Sequence, residues 1–248
     1  MALEQRSYTR TAESVGIDAG LRAYMLKVYN YMTTALLLTG LVAFFFGKAS
    51  IVTNDLGQIV GLTGIGNALF NSPLQWIVML APLGLVFYFS FKINTMSLST
   101  AQTTFWVFST LMGLSLASIF IVYTGASIAR VFFISSATFA AMSLYGYTTK
   151  RDLTALGGFL IMGLFGIIIA SIVNIFMQSS AMYFAISIIG VLIFVGLTAY
   201  DTQKIKNMYY AADSETQSGK KAIMGALRLY LDFINLFIML LRLFGQRR

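Results

Sequence analysis

The stretch AMYFAISIIGVLIFVGLTAYDTQKIKN, residues 181–207, runs for twenty residues without a charged side chain and then places Asp201 ahead of a polar, basic end. About twenty consecutive apolar residues make a helix long enough to cross the hydrocarbon core of a bilayer. The stretch therefore reads as a spanning helix over 181–203 with a carboxylate near its end. Isolated ionised groups in hydrocarbon cost several kcal/mol and mark functional sites by default.

The rest of the chain repeats the apolar pattern. Of 248 residues, 58% are hydrophobic and 10% charged, against about a quarter charged in a soluble domain. Seven segments qualify as spans: 25–47, 74–91, 101–123, 126–147, 155–177, 181–203 and 222–244. The expected fold class is an all-α integral membrane protein, a single seven-helix transmembrane domain over 25–248 behind a polar N-terminal arm, residues 1–24. The arm has no apolar core of a cleavable signal peptide, so the first span is expected to act as its own insertion signal. Short joints at Thr124–Gly125 and Gln178–Ser180 make neighbouring helices antiparallel. The Gly-rich segment 48–73 is too short to span and is expected at the interface or packed on the bundle. Pro82, inside the second span, is expected to kink it.

The absence of both histidine and cysteine excludes disulfides, Cys-ligated metals and every His-based catalytic arrangement. No Gly-Lys-Ser/Thr phosphate loop or Gly-x-Ser-x-Gly nucleophile is present. The expectation is a protein that is not an enzyme and carries no cofactor. The net charge of +8 is read as topology and attraction to the lipid bilayer rather than nucleic-acid binding. With the N-terminus cytoplasmic, ten Lys/Arg fall on inside segments: Arg6, Arg10, Arg22, Lys92, Lys150, Arg151, Lys204, Lys206, Lys220 and Lys221. Three, Lys48, Arg247 and Arg248, fall outside. This bias follows the positive-inside rule, with one discord: seven spans leave the basic tail GQRR outside. A re-entrant last segment would remove that discord, so the side of the C-terminus stays open.

Seven of the nine acidic residues, Glu4, Glu13, Asp18, Asp55, Asp152, Asp213 and Glu215, lie in the arm or in connections; only Asp201 and Asp232 lie in spans. They sit on the sixth and seventh helices, which are antiparallel neighbours, and meet if the sixth continues a turn or two past Gln203. Two negative charges about 4 Å apart at an effective dielectric of about 20 repel by roughly 4 kcal/mol. A close pair therefore exchanges its last proton near physiological pH. With one proton shared, a carboxyl–carboxylate hydrogen bond holds the helices together; without it the charges repel and admit water or a cation. The arrangement is a pH-sensitive gate. Calcium, which prefers oxygen ligands, suits the doubly ionised state in transit, since two carboxylates are too few for a closed site. Arg228, four residues before Asp232, either pairs with it or extends to the headgroups. Asn235 either hydrogen-bonds to the pair or joins helices.

The segments VGLTAYDTQKIKNM (195–208), LYLDFINLFIMLLRLFG (229–245) and AAMSLYGYTTKRDLT (140–154) resemble the Bax inhibitor-1 family, specifically its bacterial branch. The likeness covers nearly the whole chain and is weakest in the arm and 48–73. It implies a seven-helix bundle with the C-terminal helix central, in the bacterial inner membrane, and a pH-dependent calcium leak controlled by two aspartates that fall on Asp201 and Asp232. It also implies an arginine on the second helix that holds the closed state. No arginine occupies that helix here; Lys92 is the nearest basic residue.

Two other function classes compete. Intramembrane aspartyl proteases also place one aspartate in a Tyr-Asp pair on the sixth helix and another on the seventh. This chain lacks their Gly-x-Gly, and with only Pro73 and Pro82 it lacks their later Pro-Ala-Leu. The alternative to a leak is a non-transporting regulator that binds a membrane-bound protease or a stress-response partner through the arm and the 204–221 loop.

Overall fold

The computed structural model describes residues 2–55 and 58–248, with side chains from residue 19 onward. The chain forms α1 (Ala2–Ala49), a hairpin of β1 (Ile51–Thr53) and β2 (Ile59–Leu62), α2 (Gly64–Phe70), α3 (Leu74–Lys92), α4 (Leu98–Leu116), α5 (Ile119–Val122), α6 (Gly125–Thr148), α7 (Thr154–Met177), α8 (Ser180–Asn207) and α9 (Glu215–Phe244). Seven stretches are long and apolar enough to cross a membrane: Ala19–Ala49, Leu74–Lys92, Leu98–Val122, Gly125–Thr148, Thr154–Met177, Ser180–Asn207 and Glu215–Phe244. The molecule is an all-α, multi-pass membrane protein.

The helices overrun the expected spans. α1 starts within the arm rather than at residue 25, although the arm's side chains before residue 19 lie outside the described residues. Segment 48–73 folds as the small hairpin and α2. Thr63 caps α2 through Gly66 N, and its hydroxyl donates to Ala49 O at 2.7 Å, tying the segment to the end of α1.

Pro82 does not break α3, which continues to Lys92. Proline lacks the N–H that would bond to the carbonyl four residues earlier, here Val78. The Ser115 hydroxyl of α4 donates to that carbonyl, so the orphaned acceptor becomes an inter-helix bond, as membrane helices require.

α9 packs against α8, α1, α6 and α4. Within its most apolar window 72% of residues are buried in the protein, against at most 39% in any other span. A second polar bond fixes its rotation. The Thr39 hydroxyl donates to Ser109 O at 2.8 Å, so the fully buried Tyr230 hydroxyl must be the donor in its 2.7 Å bond to Thr39 Oγ1. Tyr230→Phe is expected to cost about 1 kcal/mol, a typical net hydrogen bond. Thermal unfolding in detergent checks this, and an unchanged midpoint would count against the bond.

The two ends of α9 are held differently. Ser214 and Gln217 form a capping box at its start, and Lys221 Nζ meets Asp213 Oδ2 at 2.6 Å and Met208 O at 3.1 Å across the α8–α9 loop. At the other end the tail returns over α5 and α6. Thr124 N donates to Gln246 O, Gln246 N to Ser127 Oγ and Arg248 N to Val122 O, each at 3.0 Å. Arg242 and Arg247 stand over the Tyr183 ring at 5.2 and 6.0 Å. α9 thus runs as one unbroken helix from the α8–α9 loop to the tail beside α5 and α6. The tail's backbone bonds and the Tyr183 ring hold the basic end in place.

α7 begins beside Asp152, whose carboxylate accepts from Thr154 Oγ1 at 2.6 Å and Thr154 N at 2.9 Å. Those bonds hold its carboxyl below the ordinary carboxylate range. This acid therefore stays charged at the head of the helix, where the dipole favours it.

Candidate functional site

α8 does not stop at Gln203 but continues to Asn207. That extra turn keeps Asp201 in regular helix and lets it face α9, the helix α8 packs against most extensively. Asp201 and Asp232 come together on the wall of one cavity at the α8–α9 contact, close enough for their charges to interact. A hydrogen bond between two carboxyl groups would require that at least one carry a proton. Asp232 is buried, 6% exposed, and its Oδ2 has no hydrogen-bond partner.

Arg228 is placed by its helix as expected, but its partner is across the interface. Its Nη1 lies 3.5 Å from Asp201 Oδ1, so the ion pair bridges α9 to α8 rather than running along α9 to Asp232. The Arg228 side chain remains 38% exposed and that of Asp201 14%. With one proton shared, the pair carries a single negative charge that Arg228 balances. With both carboxyls ionised the site has an unbalanced negative charge in a low-dielectric setting.

Asn235 donates its side-chain amide to Leu231 O at 2.8 Å on its own helix. Its amide nitrogen therefore neither reaches the pair nor joins two helices. It does line the same cavity, a space of about 570 Å³ between α7, α8 and α9 bordered by Asp201, Arg228, Asp232, Asn235 and apolar side chains of α7 such as Ile168 and Ile172. The α7 wall has no polar signature beyond Ser171, and no pattern in the sequence pointed to it. Among the described residues no cluster of three or more His, Cys, Asp or Glu exists to hold a metal ion. A cation here would meet two carboxylates and the Asn235 carbonyl, a set suited to passage rather than retention.

Behind the pair runs a chain of hydroxyls that sequence patterning missed. Thr202, next to Asp201, donates to Thr198 O at 2.7 Å, so Ser143 of α6 must donate to Thr202 at 3.0 Å and Tyr29 of α1 to Ser143 at 2.7 Å. Three helices are joined by one directed relay. Thr202 in the Tyr-Asp-Thr-Gln run was the visible clue, but its partners lie 59 and more residues away.

Residues 21–248 match the family described as "Inhibitor of apoptosis-promoting Bax1". The chain is 50% identical to the uncharacterized protein RP147 of Rickettsia prowazekii over 98% of each chain. It is 47% identical to the inner membrane protein YbhL of Escherichia coli, over 97% of this chain and 99% of that one. It is also similar, at 34% identity over 91% of its length, to the uncharacterized protein YrjE of Lactococcus lactis.

Proposed function

Because the chain belongs to the Bax inhibitor-1 family, we propose that it is a pH-sensitive calcium leak channel of the bacterial inner membrane, with a cytoplasmic N-terminus and a gate formed by Asp201 and Asp232. The observation that carries this reading is the meeting of Asp201 and Asp232, the two carboxylates set deep in the spans among the described residues, with Asp232 Oδ2 unpartnered at a cavity. The burial of α9 against α8, α1, α6 and α4 supports a central place for it, so a charge change at Asp232 is felt where four helices meet α9.

The gate works by proton count. The shared proton ties α8 to α9, and Arg228 neutralises the remaining charge. When that proton leaves, repulsion of roughly 4 kcal/mol at about 4 Å opposes the contact. The freed oxygens then serve calcium, the transported ion, which binds oxygen ligands without dedicated cofactor chemistry. Calcium flux into liposomes, reported by an enclosed dye between about pH 5 and about pH 8, tests the proposal. Flux should rise with pH. No flux above empty liposomes at any pH would reject the leak and favour a regulator acting through a membrane-bound protease or stress-response partner.

Arg228 tunes the gate under this scheme. Its positive charge favours the doubly ionised pair, so Arg228→Gln is expected to move the onset of flux upward on the order of one pH unit. An onset at the parent pH would show that the 3.5 Å ion pair is idle in gating.

A further inference from the structure

A groove of about 900 Å³ lies between α1 and α6, apart from the acid pair. The two helices scarcely touch, and Phe233 of α9 forms its floor. Arg22 and Tyr147 stand at one end, and the body runs past Leu26, Leu37 and Phe139.

We propose that this groove binds one anionic phospholipid, its phosphate at Arg22 and an acyl chain along the groove. Hydrocarbon suits the body because its lining is mostly apolar and most of the hydroxyls in its wall are already committed. Tyr29 donates to Ser143, Ser143 to Thr202, and Ser136 to Phe132 O. A polar ligand would find little there to replace its hydration. The end at Arg22 differs in charge. Arg22 is exposed and forms no ion pair among the described residues. Lys206 reaches the same end, donating to Tyr147 O at 2.8 Å with its ammonium 5.4 Å over the Tyr147 ring. Among the described residues no carboxylate lines the groove. A phosphodiester answers that charge, and Arg offers it paired donors.

The groove is long enough for an acyl chain and more. From Arg22 to Leu41 its α1 wall rises about 28 Å, close to the whole ~30 Å hydrocarbon core, so a lipid anchored at Arg22 fills about half of it. Lipid tails would occupy any apolar groove at this depth; the basic end adds selection of the headgroup. A free phosphate would use the end and leave the body empty.

Native mass spectrometry of the delipidated protein tests this, with phosphatidylglycerol and phosphatidylcholine of identical chains as probes. The parent should take one phosphatidylglycerol in preference to phosphatidylcholine. Arg22→Gln should weaken that adduct about fivefold, the worth of one basic residue at an anionic lipid surface, while Arg22→Lys should retain most of it. Ala140→Phe, which fills the groove, should weaken both lipids. Glycerol 3-phosphate, which lacks chains, should fail to compete. Equal binding of the two lipids, an unchanged adduct in Arg22→Gln, or displacement by glycerol 3-phosphate would each overturn the proposal. Arg22 is exposed, so its variants test the headgroup contact even if Ala140→Phe does not fold.

Discussion

Asp201→Asn is expected to flatten the pH dependence of calcium flux. In the parent, flux at about pH 8 should exceed that at about pH 5 by tenfold or more, because repulsion of roughly 4 kcal/mol appears only when both carboxyls are ionised. Asparagine keeps the size of the side chain and can still hydrogen-bond to Asp232, so α8 and α9 stay joined. It cannot ionise, so the site never holds two negative charges, and the ratio should fall to about one. Asp232→Asn should do the same, since the charge limit belongs to the pair. Asp152→Asn supplies the control: that carboxylate is exposed at the head of α7, away from the cavity, and its flux profile should match the parent. Parental pH dependence in Asp201→Asn would remove the acid pair from the gate, whatever the total flux.

What could be read in advance follows the strength of the signals. Hydropathy sees a span wherever lipid contact demands apolar residues, and all seven were visible for that reason. It is blind to a helix leaving the bilayer. The turns Glu215–Lys221 are polar, so they read as loop, yet the Ser214–Gln217 capping box starts α9 there. The acid pair was legible by elimination, because carboxylates in spans are few. The partner of Arg228 was not. Helical spacing places Arg228 over Asp232, whereas the distance across the α8–α9 interface decides in favour of Asp201. The Ser115–Val78 bond and the Tyr29–Ser143–Thr202 relay were hidden for the same reason. Each joins positions whose proximity depends on how two helices dock, and no local pattern encodes that.

That docking makes its own prediction at Gly146, where α6 meets α8. A Cβ built there would lie 2.8 Å from the Ala199 carbonyl carbon and 2.9 Å from its Cα, closer than real Cβ atoms approach. The obstacle is backbone, so no rotamer change relieves it and the helices must separate. Gly146→Leu is therefore expected to destabilise by about 1 to 3 kcal/mol, the usual range for overpacking, lowering the melting temperature by on the order of 5 °C. Gly158→Leu makes the comparison internal, since a Cβ at Gly158 meets nothing within 4 Å and Leu is the better helix former. It should melt at or above the parent. The damage at Gly146 should also reach the gate. Ser143 lies one turn back along α6 and Thr202 one turn on from Ala199, so separating the helices breaks their 3.0 Å bond and shifts the segment of α8 that carries Asp201. Gly146→Leu protein that still inserts should leak calcium at low pH, where the parent is shut. Matching melting temperatures for Gly146→Leu and Gly158→Leu would refute the close α6–α8 approach, and with it the support that holds Asp201 against Asp232.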